Sequence, residues 1–359
     1  MTGYNSEIFI NDRKISIDNP TYFIADIAAN HDDDLERAKD LIWSAAEAGA
    51  DAAKFQHFTA DTIVSDYGFK SLGGKASHQS SWAKSVYETY EDASINLNWT
   101  EALVDTCKEA KIDFFTSPYS KELVDEVDPF VPAYKIGSGD ITFEEIIRHI
   151  ASQQKPVLLA TGASSMDDVA RAVRTILDKN NDIVLMQCNT NYTGSLENFH
   201  HINLNVINSF RRKYPEMLLG LSDHTPGDTT VLGAIALGAR VIEKHYTDDN
   251  SRKGPDHGFS MNPKSWKEMV YRSREVEAAL GNGIKIIEEN ELQSVILQRR
   301  CIRIVKDLPE GHILSENDII ALRPAPENSF TPYEVSKLIG KSLVTDKLEG
   351  DAILRSDIK

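Results

Sequence analysis

Short apolar runs alternate with amphipathic helical stretches eight times along this chain, and no other property of the sequence restricts its fold so tightly. The runs occupy residues 22–28, 51–56, 112–117, 133–138, 156–161, 183–188, 217–222 and 239–244. Each is near-continuously apolar, as a parallel strand covered on both faces must be, and intervening segments such as 35–47 and 166–177 carry the helical period. Eight strand–helix units predict an α/β fold, a (β/α)8 or TIM barrel, which needs about 250 residues. A strand pair, 7–10 and 14–17 with a turn at Asn11-Asp12, is expected ahead of it.

The chain has 359 residues, too many for one ordinary core, so a second unit is expected. The barrel with its strand pair is assigned to 1–281, a linker containing Asn282-Gly283 and the polar run 288–291 to 282–294, and a small β-rich domain to 295–359. That last domain contains an internal repeat: residues 307–319, beginning Asp307-Leu308-Pro309-Glu310-Gly311, recur 39 positions later from Asp346 as 346–358. Such a repeat predicts two pseudo-symmetric halves. The gap after the second strand, 58–97, is long and aromatic, and is read as a cover over the barrel mouth.

A net charge of −16 leaves no basic stripe for nucleic-acid phosphates and would be repelled by an anionic membrane. Small-molecule chemistry is the expectation. Cys107, Cys188 and Cys301 are too few and too scattered for a disulfide framework, which fits a reducing compartment. No run reaches the ~20 apolar residues of a membrane span, and the first residues lack a secretion signal, so a cytoplasmic location is expected.

Candidate chemistry gathers at the strand ends, where barrel enzymes keep their catalytic groups. His224 and His245 end the last two strands, and two neutral imidazoles with open positions suit a catalytic divalent metal. Lys54, Lys135 and Lys244 lie at similar depth, with hydroxyls at Ser117, Ser138, Thr161 and Ser222. A phosphorylated carboxylate needs this mixture, because ammonium groups neutralise charge while hydroxyls fix orientation. Alternatively, the lysines pair with inward carboxylates such as Asp26, Asp140 or Glu243. Glycines in Gly137-Ser138-Gly139 and Thr161-Gly162 allow close approach to the main chain. Asp26 ends the first strand, where it could accept a proton or hold a water, with Asn30 and His31 following. Asp32-Asp33-Asp34 reads as a charged helix start, and His57 as structural.

Taken in order, Asn30-His31, Lys54-Phe55-Gln56, Ser117-Pro118, Tyr134-Lys135-Ile136-Gly137-Ser138-Gly139-Asp140, Ser222-Asp223-His224-Thr225, Glu243-Lys244-His245 and Gly254-Pro255-Asp256 make the chain resemble the sialic acid synthase family. The repeat domain resembles its antifreeze-like (SAF) module. Members condense phosphoenolpyruvate with an N-acetylated hexosamine, such as N-acetylmannosamine, into a nine-carbon 2-keto sugar acid and phosphate. The resemblance implies that His224 and His245 bind the metal, usually Mn²⁺, with Mg²⁺ or Co²⁺ as substitutes. It implies that Lys54, Lys135, Ser117, Ser138 and Ser222 hold phosphoenolpyruvate, and that Gln56, Tyr192 and Asp256 meet the amino sugar. Arg323 would reach into the active site of a partner subunit, making a domain-swapped homodimer the expected assembly.

The chain also departs from the family pattern. Asp26 stands where members commonly carry Glu, and Asp33 where they carry Gly. Ala160 replaces a phosphate-binding Ser, a loss that Thr161 or Ser164 would offset. In Cys188-Asn189-Thr190-Asn191-Tyr192 more than one residue could take the place of the family's phosphate-facing Asn, and Asn189 and Thr190 are the substrate-binding candidates. Asp26 or Asp140 is expected to position the attacking water. The sequence also admits a Schiff-base aldolase using Lys135 or Lys54, and a non-catalytic module that binds sugar acids.

Overall fold

In the computed structural model, which describes residues 3–72, 79 and 82–359, the chain divides into two compact units, Met1–Gly281 and Asn282–Lys359. The first opens with an antiparallel hairpin, β1 (Glu7–Ile10) and β2 (Arg13–Ser16), its second strand one residue earlier than the pattern suggested. Eight parallel strands follow: β3 (Tyr22–Asp26), β4 (Ala52–His57), β5 (Asp113–Pro118), β6 (Tyr134–Ile136), β7 (Val157–Ala160), β8 (Ile183–Cys188), β9 (Leu218–Asp223) and β10 (Val241–His245). They run β5-β4-β3-β10-β9-β8-β7-β6, so chain order is also ring order. This is a nearly closed barrel. Its seam lies between β5 and β6, where the described residues form no ladder.

Two apolar layers hold the barrel together. Outside it, the strands' outward residues meet helix faces such as Leu41, Ile42 and Ala45 of Leu35–Glu47, and Val169, Val173 and Ile176 of Met166–Leu177, spaced at helical repeats. Inside, Tyr22, Ile24, Phe115, Leu158, Val184 and Val241 fill the end where the strands begin, and the hairpin's Ile8, Ile10 and Ile15 close it. Each isoleucine removed from water contributes roughly 2 kcal/mol. With that end plugged by hydrocarbon, polar groups on the axis are confined to the opposite end.

The described part of the long gap holds helices Ala60–Ile63, Asp66–Ser71 and Val86–Ala93. Its Gly73-Gly74-Lys75 stretch lies outside the described residues. Asp34, not the whole Asp triplet, caps the following helix by accepting from Arg37 N at 3.1 Å. Asp33 has φ +55, a left-handed conformation that explains why glycine suits that place. Asp32 turns away and binds Arg252 and His257.

In the second unit, helix Leu292–Gln298 begins inside the stretch expected to be linker. Strands β11 (Cys301–Ile304) and β12 (Ile319–Leu322) pair antiparallel. The sequence repeat is a structural pseudo-twofold. Glu310 N donates to Asp346 Oδ1 at 2.7 Å, and its repeat counterpart Glu349 N donates to Asp307 Oδ1 at 2.8 Å. Gly311 N to Leu343 O is matched in the same way by Gly350 N to Ile304 O, both 2.8 Å.

Candidate active site

Alternation along each strand decides which side chains face the barrel axis. On β10, Glu243 and His245 point inward, whereas Lys244 points outward into a buried ion pair with Asp223. Lys244 also donates to Thr225 O at 2.6 Å, so it belongs to the strand–helix interface rather than to the mouth.

Above the apolar plug lies a charge-balanced layer. Lys54 Nζ sits 2.7 Å from Asp26 Oδ2. Lys135 Nζ donates to Glu243 Oε1 at 2.9 Å, and Ser222 Oγ donates to the same oxygen at 3.1 Å. Of the two readings the sequence leaves open for Lys54 and Lys135, the structure shows pairing with inward carboxylates, Asp26 and Glu243. Burial opposes the charge on Lys54, but Asp26 and Glu243 outweigh it and raise its pKa. Burial also works against the Glu243 carboxylate, yet Lys135 and Lys54 bring it down to about 2. Asp26 moves the other way, lifted by burial despite Lys54. Glu243 Oε2 is buried with no hydrogen-bond partner among the described residues.

The hydroxyl groups lie around this layer. Ser117 is buried on β5 in register with Gln56, whose amide is 3.5 Å from Asp26 Oδ2. Ser138 Oγ accepts from Gly162 N at 2.9 Å. A Cβ on Gly162 would lie 2.6 Å from Thr190 Cγ2 and 2.9 Å from Ser138 Oγ, so only glycine fits there. Thr190 therefore faces Ser138, while Asn189 turns its amide to His201 O at 3.3 Å. Thr161 and Ser164 donate their hydroxyls to Met186 O and Gly162 O, leaving each only acceptor capacity.

At the rim, the rings of His224 and His245 are 5.3 Å apart, with Tyr192 4.3 Å from His224 and Phe259 4.9 Å from His245. Burial, with lesser charge effects, lowers both histidines to about 3, so both are neutral. His224 Nδ1 is 2.9 Å from Asn189 O, which fixes the proton on that nitrogen and leaves Nε2 its lone pair. His245 Nδ1 is buried without a hydrogen bond, and its Nε2 lies 3.6 Å from Asp26 Oδ2. Among the described residues no cluster of three or more metal-type side chains forms. Two open imidazoles are therefore the donor set on offer.

Asp256 Oδ2 is 3.9 Å from His245 and accepts from Ala29 N at 3.3 Å; burial, then Asp26, lifts it to about 7. Burial raises Asp140, on the turn after β6, to about 6. Both can exchange protons near neutrality. Arg323 belongs to the second unit, directly after β12, joined to Pro324 by a cis peptide. Cys188, whose Sγ would lie 3.1 Å from a Cβ on Gly162, and Phe259 are absent from the site read out of the sequence, and Glu243 enters it there only as a possible partner for a lysine. Period-two counting back from His245 finds Glu243, and counting on from Met186 finds Cys188; Phe259 carries no such signal.

A parallel barrel with buried ionisable groups gathered at the strands' C-terminal ends defines the chain as a (β/α)8-barrel enzyme. The chain belongs to the NeuB family, whose model matches residues 41–285, and a SAF domain follows over 299–359. It is an enzyme of the sialic acid synthase type. It is 33% identical over 347 residues to an N,N'-diacetyllegionaminic acid synthase of Legionella pneumophila, covering 94% of each chain. It is 34% identical over 348 residues to a pseudaminic acid synthase of Campylobacter jejuni, covering 95% of this chain and 98% of that one. The crystal structure of N-acetylneuraminic acid synthetase from Leptospira borgpetersenii in complex with citrate superposes with a TM-score of 0.71 at 27% identity, over 80% of this chain and 95% of that one. No helix among the described residues is long and apolar enough to cross a membrane.

Proposed function

We propose that this enzyme condenses phosphoenolpyruvate with an open-chain N-acylated hexosamine and water, giving a nine-carbon 2-keto sugar acid and phosphate. The observation that carries the reading is the stacking of two layers: neutral His224 and His245 at the rim, and the Lys54 and Lys135 ion pairs beneath. The related synthases named above share this kind of product.

The donor set fits a divalent ion such as Mn²⁺, with Mg²⁺ or Co²⁺ as substitutes. His224 is already oriented by Asn189, and His245 Nδ1 is a buried nitrogen without a partner. Such an ion, when bound, supplies Lewis-acid polarisation of the sugar carbonyl. The remaining work falls to side chains. Lys54 and Lys135 exchange their carboxylate partners for the anionic groups of phosphoenolpyruvate, oriented by Ser117, Ser138, Ser222 and Thr190. Gln56, Tyr192 and Asp256 hold the sugar. Its C1 is attacked by C3 of phosphoenolpyruvate; water then adds at C2, and the C–O bond to phosphate breaks. Asp26 and Asp140, both with raised pKa values, are placed in our reading as water-positioning groups.

The Schiff-base reading finds no support at Lys54, because a nucleophilic amine needs a lowered pKa and this one is raised. Cytoplasmic action as a homodimer, with Arg323 completing a partner's site, is part of the proposal; the three buried, unpaired cysteines support a reducing compartment. The test is phosphate release from phosphoenolpyruvate with N-acetylmannosamine, its 6-phosphate and 2,4-diacetamido sugars, with and without Mn²⁺. Metal-dependent release with one of these sugars is expected. Release that ignores the sugar, or its absence throughout, would sink the reading.

A further inference from the structure

The loop after β4 adds an aromatic wall that the mechanism above leaves unused. Phe58, the first residue beyond β4, packs its ring against Tyr90 at 5.6 Å and edge-on against Tyr119 at 5.8 Å. Tyr119 follows directly on β5, its hydroxyl close enough to Gly137 that a Cβ there would lie 3.3 Å away. These two rings therefore stand at the strand ends that bear Gln56 and Ser117. Tyr90 arrives from helix Val86–Ala93, and Trp82 packs on it at 6.3 Å.

The helix register is fixed. Ser85 and Glu88 form a reciprocal capping box, and Val86, one turn before Tyr90 on the same face, is buried. Tyr90 thus turns inward while Tyr87 binds Asp61 at the surface. Burial, followed by the charges of Asp256 and Asp140, raises the Tyr90 phenol.

An acylamino sugar presents hydroxyls, which need carboxylates and amides, and a flat acyl group, which needs an apolar face. Asp256 and Gln56 meet the first need. We propose that Tyr90 is a specificity-determining residue of the sugar subsite, its ring receiving the acylamino group of the acceptor. This inference rests on the condensation reading given above.

The experiment compares kcat/KM for the acceptor that releases most phosphate with that for the same sugar bearing hydroxyl in place of the acylamino group, using Mn²⁺-loaded enzyme. Tyr90→Ala is expected to reduce that ratio about tenfold, equivalent to about 1.4 kcal/mol, while KM for phosphoenolpyruvate stays within about twofold. Tyr90→Phe keeps the ratio. Tyr90→Leu, which preserves packing on Phe58 without the flat face, guards against a misfolded alanine variant and is expected to lose the ratio too. Phosphate release with an unchanged ratio in the Ala and Leu variants overturns the role of Tyr90 alone. No release by the wild type with any acceptor overturns the condensation reading and this inference with it.

Discussion

His224 is held by the main-chain carbonyl of Asn189, which lies 2.9 Å from its Nδ1, with its ring 5.3 Å from that of His245. A backbone partner cannot be removed by a side-chain mutation, so the orientation persists in variants of the loop after β8. Removing either ring should abolish metal retention. For His224→Ala and His245→Ala, Mn²⁺ content after dialysis, read by elemental analysis, should fall from near one per chain to background, and phosphate release with it. Full activity after chelation would refute the assignment.

Lys135 and Glu243, both buried, pair across the barrel from β6 to β10. Breaking one partner of a buried pair strands the other charge, which typically costs about 3–5 kcal/mol. Lys135→Met should lower the denaturation midpoint markedly, and the double variant Lys135→Met/Glu243→Gln should recover much of the loss. Additive effects in chemical denaturation would show that the two groups do not depend on each other. Both variants should still lose affinity for phosphoenolpyruvate.

These pairings explain which parts of the site could be read from the chain. Strands were legible because an apolar run of strand length between helical periods has few other uses, and the repeat because its register survives as paired residues such as Asp307 and Asp346. The histidines stood out by ending their strands. Neutralisation of the lysines is one of two readings the sequence leaves open, but which carboxylate meets which lysine is hidden, because Lys54 meets Asp26 through the β3–β4 register and Lys135 meets Glu243 only by ring closure. Tyr90 was hidden for a similar reason: its role depends on where the long loop lands, and no period announces that.

His57 was read as structural, and it is: buried, with Nδ1 2.7 Å from Thr116 Oγ1 and Nε2 3.0 Å from Thr100 Oγ1, it ties β4 and β5 to helix Thr100–Ala110. Burial lowers its pKa from 6.5 to about 4. The unfolded chain therefore binds more protons between those values, and stability rises with pH across that window. The contribution is complete above pH 6.5 and is lost as pH falls toward 4. His57→Gln should show a flatter dependence of Tm on pH in this window than the wild type. Parallel curves would place the acid sensitivity elsewhere.

In the C-terminal unit, Asp307 and Asp346 accept from equivalent main-chain amides on opposite halves. Equivalent contacts in a pseudo-twofold should be of equal worth. Asp307→Ala and Asp346→Ala are each expected to destabilise the unit by about 1 kcal/mol, the usual net value of such a bond. Thermal unfolding of the full chain checks this, and a large inequality would mean that the halves are not energetically alike.

The origin of one oxygen atom tests the bond that the active site is built to break. Asp26 is buried, raised in pKa and 3.6 Å from His245 Nε2, and in the proposed reaction its carboxylate stands beside the sugar carbonyl and C2 of phosphoenolpyruvate. In that proposal water activated there attacks carbon, not phosphorus. In ¹⁸O-water the label should enter the keto acid, read by mass spectrometry before the carbonyl exchanges, and the released phosphate should stay unlabelled. Asp26→Asn, which keeps the shape but cannot take a proton, should slow turnover by about 10²-fold or more with little change in KM for phosphoenolpyruvate. Label in the phosphate would mean P–O cleavage, and would remove the reason for an acid–base group at this place in the barrel.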